Sequence, residues 1–292
     1  MRKIISIDVG GTFIKYGLVD EAGNVLCKNK METIQKTAEG FVNELCEIAN
    51  LYKEHKDILG IAISMPGFIN NIEGIPLVCS VLRFIEGYKL QEELSLRTNL
   101  KVRIENDANC VALAEKFSGN ARECEDFICI TIGTGIGGGI YLNNKLIRGK
   151  QFKGGEFCYM ITKDKAGYQK LNENSSMTAL IKMYKEYKNI SAMEKVLGSD
   201  IFKEAEKDED IKAIINEWYG NIARMIYNVS SMLNPEKILI GGGVSAREEL
   251  ISELQNALNE IPWWKHVSCT IEKCKHENDA GLIGAAYNFI NP

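Results

Sequence analysis

Hydrophobic and polar positions form a strand–turn–strand pattern that occurs twice along the chain. The apolar run of residues 4–7 leads into Asp8-Val9-Gly10-Gly11-Thr12, and a second strand-like run covers residues 14–19. Residues 127–130 lead in the same way into a glycine-rich turn at 133–139. Turns without side chains let backbone N–H groups approach an anion closely. The repeated pattern predicts a polyphosphate site built from two such turns.

Between and after these turns, apolar residues recur at helical spacing or in short β-like runs. The spacing predicts helices at residues 37–55, 107–117, 211–233, 245–258 and 280–289, and strands at 58–64, 102–105 and 237–240. Two halves that each begin with a glycine turn and alternate strands with helices indicate an α/β protein of two similar lobes. The ligand is then expected in the cleft between them.

Two familiar nucleotide motifs do not explain the second turn. Gly133, Gly135 and Gly138 match G-x-G-x-x-G, but a dinucleotide site requires a helix directly after the glycines, and a strand follows here. Neither turn ends in the Gly-Lys-Ser/Thr of a P-loop. Two glycine hairpins without any ligand remain the alternative.

The composition narrows the class of protein. The 292 residues are 45% hydrophobic and 25% charged, with a net charge of −4 and dispersed basic residues. This argues against nucleic-acid binding. No apolar run is long enough for a membrane span, so we expect a cytoplasmic protein. The nine cysteines lack the paired spacing of a zinc site and are expected to be reduced.

A polar cluster ends the strand at residues 102–105. Asn106, Asp107 and Asn109 are placed to project from the carboxyl end of that strand. If the glycine turns hold ATP, Asp107 is positioned to orient an alcohol and accept its proton, as phosphoryl transfer requires. The alternative is that Asp107 only caps the following helix.

Two further clusters suggest ligand contacts. Glu156 could accept hydrogen bonds from sugar hydroxyls, and Tyr159 could add a hydroxyl and a ring face; an exposed turn is the alternative. Gly241, Gly242 and Gly243 link a strand to a helix and could let a base approach the backbone. A tight connection is the alternative there.

Taken together, these segments resemble the ROK family of repressors, open reading frames and sugar kinases. The resemblance rests on residues 7–15, Pro66-Gly67, residues 105–109, residues 131–139 with 241–244, and the closing segment 280–286. It implies an actin-like, hexokinase-type (ribonuclease H-like) fold. The implied lobes are residues 1–117 with 278–292, and residues 118–277. It also implies ATP-Mg²⁺-dependent phosphorylation of a hexose at its 6-hydroxyl, by a protein expected to be a homodimer.

The resemblance implies a role for each matching position. Asp107 would be the general base, and Asp8 would act near the metal through water. Sugar contacts would come from Gly67, Asn106, Asp107, Glu156, Tyr159 and Asn172. Nucleotide contacts would come from Asp8, Gly10, Gly11, Thr12, Lys15, Thr131, Gly133, Thr134, Gly135, Gly137, Gly242 and Gly243.

The chain departs from the family pattern on the sugar side. Tyr159 stands where the family has a histidine that binds sugar and zinc, and Asn172 stands where it has a glutamate. The stretch 163–174 has no cysteine, so we expect no zinc. Residues 79–82 also differ from the usual Pro-Asn-Leu segment. The contacts near sugar carbons 1 and 2 are therefore expected to be altered.

These departures favour an amino sugar, N-acetylmannosamine, as the substrate. Glucose, or a β-glucoside that keeps its aglycone, is the close alternative. Repressors of the family carry an N-terminal helix-turn-helix, and only seven residues precede Asp8, which argues against a repressor. A third alternative is an ATP-binding structural protein of the actin type. The polar residues Asn106, Asp107 and Glu156 argue for a sugar site instead.

Overall fold

The fold was analysed in a computed structural model that describes residues 1–164 and 167–292. Its strands are β1 Lys3–Val9, β2 Phe13–Asp20, β3 Val25–Glu32, β4 Ile58–Met65, β5 Phe68–Asn70, β6 Ile75–Val78, β7 Val102–Asn106, β8 Phe127–Ile132, β9 Ile136–Leu142, β10 Lys145–Leu146, β11 Ile161–Asp164, β12 Gly167–Lys170, β13 Lys237–Gly241 and β14 Thr270–Lys273. Its α-helices are α1 Ala38–Tyr52, α2 Leu90–Thr98, α3 Asp107–Ser118, α4 Asn172–Ser175, α5 Met177–Lys188, α6 Gly198–Glu204, α7 Glu209–Leu233, α8 Leu250–Asn259, α9 Trp264–Val267 and α10 Ala280–Ile290.

The chain packs into two compact units. The first contains Met1–Cys124, Gly139–Gly155 and Lys275–Pro292, and the second contains Glu125–Gly138 and Glu156–Cys274. The lobe boundaries expected from the sequence stay a prediction. Within the part of the chain that is described, no helix combines the length and apolar character needed to cross a membrane.

The first unit is built on a five-stranded sheet in the order β3-β2-β1-β4-β7. β1 runs antiparallel to β2, whereas β1, β4 and β7 are parallel. Side chains alternate between the two faces along each strand. Ile5 and Ile7 pack in the core with α1 and α2, and Ile4 packs with α3 and α10. Both faces of the sheet are therefore covered by helices.

Helix α10 packs closely against α3 because of a glycine. A Cβ atom added at Gly284 would lie 1.7 Å from the Cys110 carbonyl oxygen. No other residue fits this contact without moving one of the two helices. Gly284 therefore permits the close approach of α10 to α3.

The second unit is organised around the parallel strands β8, β13 and β14. They belong to a five-stranded sheet in the order β10-β9-β8-β13-β14. Trp218, fully buried on the long helix α7, donates its indole N–H to the Ser176 carbonyl at 3.0 Å. The apolar stripe predicted on this helix therefore serves the core of the unit.

Several regions differ from the sequence predictions. The helix predicted from Ser245 begins only at Leu250, because a 3-10 turn at Gly243–Ala246 precedes it. Ser245 closes that turn by donating its N–H and its hydroxyl to the Gly242 carbonyl, at 3.0 and 2.8 Å. The hairpin β11–β12 was not predicted. The expectation of no zinc rests partly on the cysteine-free stretch 163–174. Residues 165 and 166 of this stretch lie outside the described residues.

Candidate active site

The polar cluster at the end of β7 is organised by Asn106. Its side-chain oxygen accepts a hydrogen bond from the Asn109 N–H at 2.9 Å and so caps helix α3. Its amide nitrogen donates to the Gly67 carbonyl and to Asp107 Oδ1, both at 3.0 Å. The alternative role of Asp107, as the cap of this helix, is wrong because Asn106 occupies the cap position. Asp107 is therefore available for another role.

Asp107 lies at the first position of α3 and is exposed to solvent. Its Oδ1 accepts a second hydrogen bond from the Ala108 N–H at 2.8 Å. Although solvent reaches Asp107, the protein atoms around its carboxyl displace much of its hydration, and this desolvation raises its pKa; the negative charge of Asp8 raises the pKa further. A carboxyl whose pKa is raised is a stronger proton acceptor once it is ionised.

Glu105, directly before this cluster, has a role that the sequence did not suggest. Its side chain is buried and forms an ion pair with Arg148, with 2.7 Å between Oε2 and Nε. The two residues are 43 positions apart, so no local pattern relates them. Only the tertiary fold of the first unit reveals the pair.

The first glycine turn joins β1 to β2 and carries a charged side chain at its start. The Gly10 N–H donates to the Phe13 carbonyl at 2.9 Å. Asp8 accepts hydrogen bonds from the Ser64 hydroxyl at 2.8 Å and from Lys15 Nζ at 3.3 Å. The first unit thus brings together Asp8, Lys15, Gly67, Asn106 and Asp107 from the predicted set, next to a turn that exposes Gly11 and Thr12.

Asp8 depends on a glycine that is distant in sequence. A Cβ atom at Gly281, in the first turn of α10, would lie 2.3 Å from the Asp8 carboxyl carbon. The side chain of any other residue would therefore displace the carboxylate. This contact between α10 and β1 is not evident from the sequence.

The second glycine turn joins β8 to β9 and carries no charged residue at the equivalent place. The Gly133 N–H donates to the Gly135 carbonyl at 2.9 Å. The Ile136 N–H donates to Asn172 Oδ1 at 2.9 Å, so the Asn172 side chain supports this turn. The family resemblance implies that Asn172 contacts the sugar. In the structure, its side chain contacts the backbone of the predicted nucleotide-binding turn.

The second turn borders a cavity of about 730 Å³ within the second unit. This volume is in the range of about 300–1,000 Å³ that is usual for small-molecule sites. The residues that line the cavity include Gly133, Thr134, Met177, Thr178, Ile181, Phe202, Gly243, Val244 and Arg247. The Thr134 carbonyl is fixed by the Thr178 hydroxyl at 2.8 Å. Thr131 and Gly137 lie on the strands that enter and leave the turn.

The third glycine cluster approaches the second turn from β13. Gly242 has a φ of +81°, and a Cβ atom there would lie 2.5 Å from the Ile132 carbonyl oxygen. Gly243 has no atom within 4 Å of its Cβ position, so its neighbourhood is open space. Of the predicted nucleotide residues of the second unit, Gly133, Thr134 and Gly243 line the cavity.

Glu156 directly precedes a 3-10 turn, Phe157–Tyr159, elsewhere in the second unit, and Tyr159 is the last residue of that turn. The Cys158 thiol donates to Glu156 Oε2 at 3.3 Å. Burial and the Glu156 carboxylate raise the pKa of this thiol to about 12, so it stays protonated as the donor. Tyr159 is 55% exposed, and Lys170 Nζ lies 5.8 Å from the centre of its ring. Within the described residues, no three His, Cys, Asp or Glu side chains form a group suited to a metal ion.

The chain is similar to several known proteins. The ROK family matches residues 4–291. A β-glucoside kinase from Listeria innocua is 36% identical over 99% of this chain and 97% of its own length. A Listeria monocytogenes protein named as a candidate N-acetylmannosamine kinase has a TM-score of 0.89 and 36% identity, and the match covers 99% of each chain. A Streptomyces griseus ROK glucokinase, solved with glucose and AMPPNP, has a TM-score of 0.82 and 27% identity, with 97% and 98% covered.

The two five-stranded sheets thus belong to the actin-like ATPase fold, as the sequence predicted. The chain belongs to the ROK family. The three relatives described above are named as sugar kinases, which supports an enzyme of the hexose kinase class.

Proposed function

We propose that this protein transfers the γ-phosphoryl group of ATP to the 6-hydroxyl of a hexose. The observation that carries the proposal is the exposed Asp107 carboxyl, fixed through Oδ1 by Asn106 and Ala108 and beside Asp8. Asp107 Oδ2 is then the oxygen that receives the hydroxyl proton. Asn106 and the Gly67 turn hold the sugar beside it.

We also propose that the two units divide the tasks that the sequence assigns to two lobes, although residues 139–155 belong to the first unit and not to the second. The first unit supplies the base, the sugar-side turn and Asp8 with Lys15. The second unit supplies the nucleotide pocket. Its cavity and the open space at Gly243 fit an adenosine group, and backbone N–H groups of a glycine turn suit phosphates.

Mg²⁺ is the implied cofactor, and Asp8 is a suitable donor because hard cations prefer carboxylate oxygens and retained waters. When bound with ATP, the ion would neutralise charge on the transferring phosphoryl group. Asp8 holds its orientation through Ser64 and Lys15. We propose no zinc site, because Tyr159 replaces the family's histidine.

For the substrate, we propose a glucoside with a β-linked group on carbon 1. Two positions expected near carbons 1 and 2 differ from the family pattern. Tyr159, in place of the histidine, is exposed, and Asn172, in place of the glutamate, accepts a hydrogen bond from the Ile136 N–H. Loss of these contacts leaves room for a substituent on carbon 1. The similarity to a β-glucoside kinase supports the same substrate class. N-acetylmannosamine remains the second candidate because of the candidate kinase from Listeria monocytogenes.

A coupled assay of ADP release would test the proposal with methyl β-glucoside, cellobiose, glucose and N-acetylmannosamine. We expect kcat/KM for the two β-glucosides to exceed that for glucose at least about tenfold, a difference of about 1.4 kcal/mol. The highest value for N-acetylmannosamine would favour the second candidate. No turnover of any hexose would reject the kinase.

The role of Asp107 is tested by Asp107→Asn, which keeps the shape of the side chain. We expect kcat to fall by roughly 10²–10⁴, the usual contribution of a general base. Calorimetric titration should show ATP binding within about threefold of wild type, since the nucleotide residues are unchanged. Retained turnover would remove Asp107 as the base.

A further inference from the structure

Glu105 is a buried carboxylate in the segment that carries the proposed base, but it is oriented into the protein. Only 1% of the residue is exposed. It lies next to last on β7 and pairs in register with Ser64 on β4, the residue that holds Asp8. A buried charge needs a partner and hydrogen bonds to all its oxygens.

Both oxygens of Glu105 are used, and two of the bonds hold the catalytic segment. Oε1 accepts from the Asn106 backbone N–H at 2.9 Å and from the Asn109 side-chain amide at 3.0 Å. Asn106 in turn holds Asp107 Oδ1. The orientation of Glu105 therefore fixes the residues on both sides of Asp107.

Arg148 determines that orientation from outside the segment. Its Nε donates to Glu105 Oε2 at 2.7 Å, and its Nη2 donates to Asn288 Oδ1 at 2.9 Å. Asn288 lies on α10 and is 2% exposed, so it is a fixed partner. A planar guanidinium can bridge two acceptors at set angles, which a lysine ammonium cannot reproduce.

We propose that Arg148 and Glu105 are positioning residues for phosphoryl transfer. Arg148, anchored by Asn288, holds Glu105; Glu105 holds Asn106 and Asn109; and these place the Asp107 carboxyl at the sugar hydroxyl. The pair acts on the rate of the chemical step, because displacing a reacting group by about 1 Å can lower the rate about 100-fold. The inference rests on the proposed role of Asp107.

The test compares Arg148→Lys with Arg97→Lys as a matched control. Arg97 is 29% exposed, against 22% for Arg148, and forms ion pairs with Glu93 and Glu39 at 2.6 and 2.9 Å, away from the site. We expect Arg148→Lys to lower kcat about 10- to 100-fold, with the KM for ATP within about twofold of wild type. Arg97→Lys should keep kcat within about twofold, because surface ion pairs contribute little.

A second variant separates positioning from charge balance. Glu105→Leu with Arg148→Met replaces the buried pair by apolar side chains, which often preserves stability. We expect the variant to stay folded with a lower thermal midpoint, and to have a low kcat even when assayed well below that midpoint, because the donors of Asn106 and Asn109 have lost their acceptor. A wild-type kcat in this double variant would overturn the proposal. Equal kcat values for Arg148→Lys and Arg97→Lys would overturn it too. An inactive wild type would instead reject the proposed function.

Discussion

The two glycine turns share a local design but have different surroundings. Each follows a parallel strand of its sheet and closes with an N–H bond from the first glycine, Gly10 to Phe13 and Gly133 to Gly135. Asp8 and Thr131 occupy the same place, next to last on the strand before each turn. Only the first of these two positions carries a charge.

The surroundings assign different tasks to the turns. Asp8 is held by Ser64 and Lys15 and raises the pKa of Asp107. The second turn is supported by neutral groups, Asn172 and Thr178, and borders a cavity. In the proposed function, a similar backbone would serve charge stabilisation in the first unit and nucleotide binding in the second.

The largest expected effect comes from the paired positions before the turns. Asp8→Asn should lower kcat by roughly 10²–10³, as for loss of one electrostatic group at a phosphoryl-transfer site. Thr131→Val should change kcat less than about fivefold, because no charge is removed. Steady-state kinetics at saturating Mg²⁺ measures both. Equal losses would show that the two turns are not specialised.

A second contrast uses two glycines. Gly281→Ala should displace the Asp8 carboxylate, lower kcat about 10- to 100-fold and destabilise the fold by about 1–3 kcal/mol through overpacking. Gly243→Ala has open space around it and should leave stability unchanged. Its methyl group should instead raise the KM for ATP about tenfold, or about 1.4 kcal/mol. Thermal unfolding and ATP saturation curves check both variants, and an unchanged KM in Gly243→Ala would place the nucleotide elsewhere.

A smaller effect is expected at Asn172. Asn172→Ala removes the acceptor of the Ile136 N–H, so the KM for ATP should rise about threefold to tenfold, with the KM for the sugar unchanged. Separate saturation curves for ATP and sugar make the comparison. A change confined to the sugar KM would support the sugar contact that the family resemblance implies at this position.

The smallest effect concerns pH. Because the pKa of Asp107 is raised in the fold, the acid limb of kcat/KM should lie above the ordinary aspartate range of about 3.9. The folded protein holds this proton more tightly than the unfolded chain, so the wild type loses stability as pH rises through the folded pKa. Asp107→Asn removes that loss. Its thermal midpoint should exceed that of wild type at pH 7 and approach it near pH 3; a lower midpoint at pH 7 would contradict the raised pKa.

The sequence predicted the parts of this molecule that depend on neighbours along the chain. Both glycine turns, the long helix α7 and the strand end at Asn106 and Asp107 are encoded locally by periodicity and turn residues. The helix start at Ser245 was misjudged, because a serine hydroxyl suits a helix cap and the 3-10 turn at Gly242 equally well. A capping residue in sequence does not reveal which turn it closes.

Contacts between distant segments could not be predicted in the same way. Glu105 and Arg148, or Asp8 and Gly281, meet only through the order of the strands and the return of α10. The one local sign of the Glu105–Arg148 pair is a glutamate at the end of an apolar strand. A carboxylate buried at such a place requires a cation as its partner. The sequence contains several arginines and does not indicate which of them pairs with Glu105.

The most direct measurement of the central claim is identification of the product. The protein would be incubated with ATP, Mg²⁺ and methyl β-glucoside, and the product examined by two-dimensional ¹H–³¹P NMR. We expect one new phosphate ester, coupled to the protons on carbon 6, and roughly 10²–10⁴-fold less of it with Asp107→Asn in the same time. A phosphate on another carbon, or ATP hydrolysed to inorganic phosphate with no sugar ester, would contradict the account.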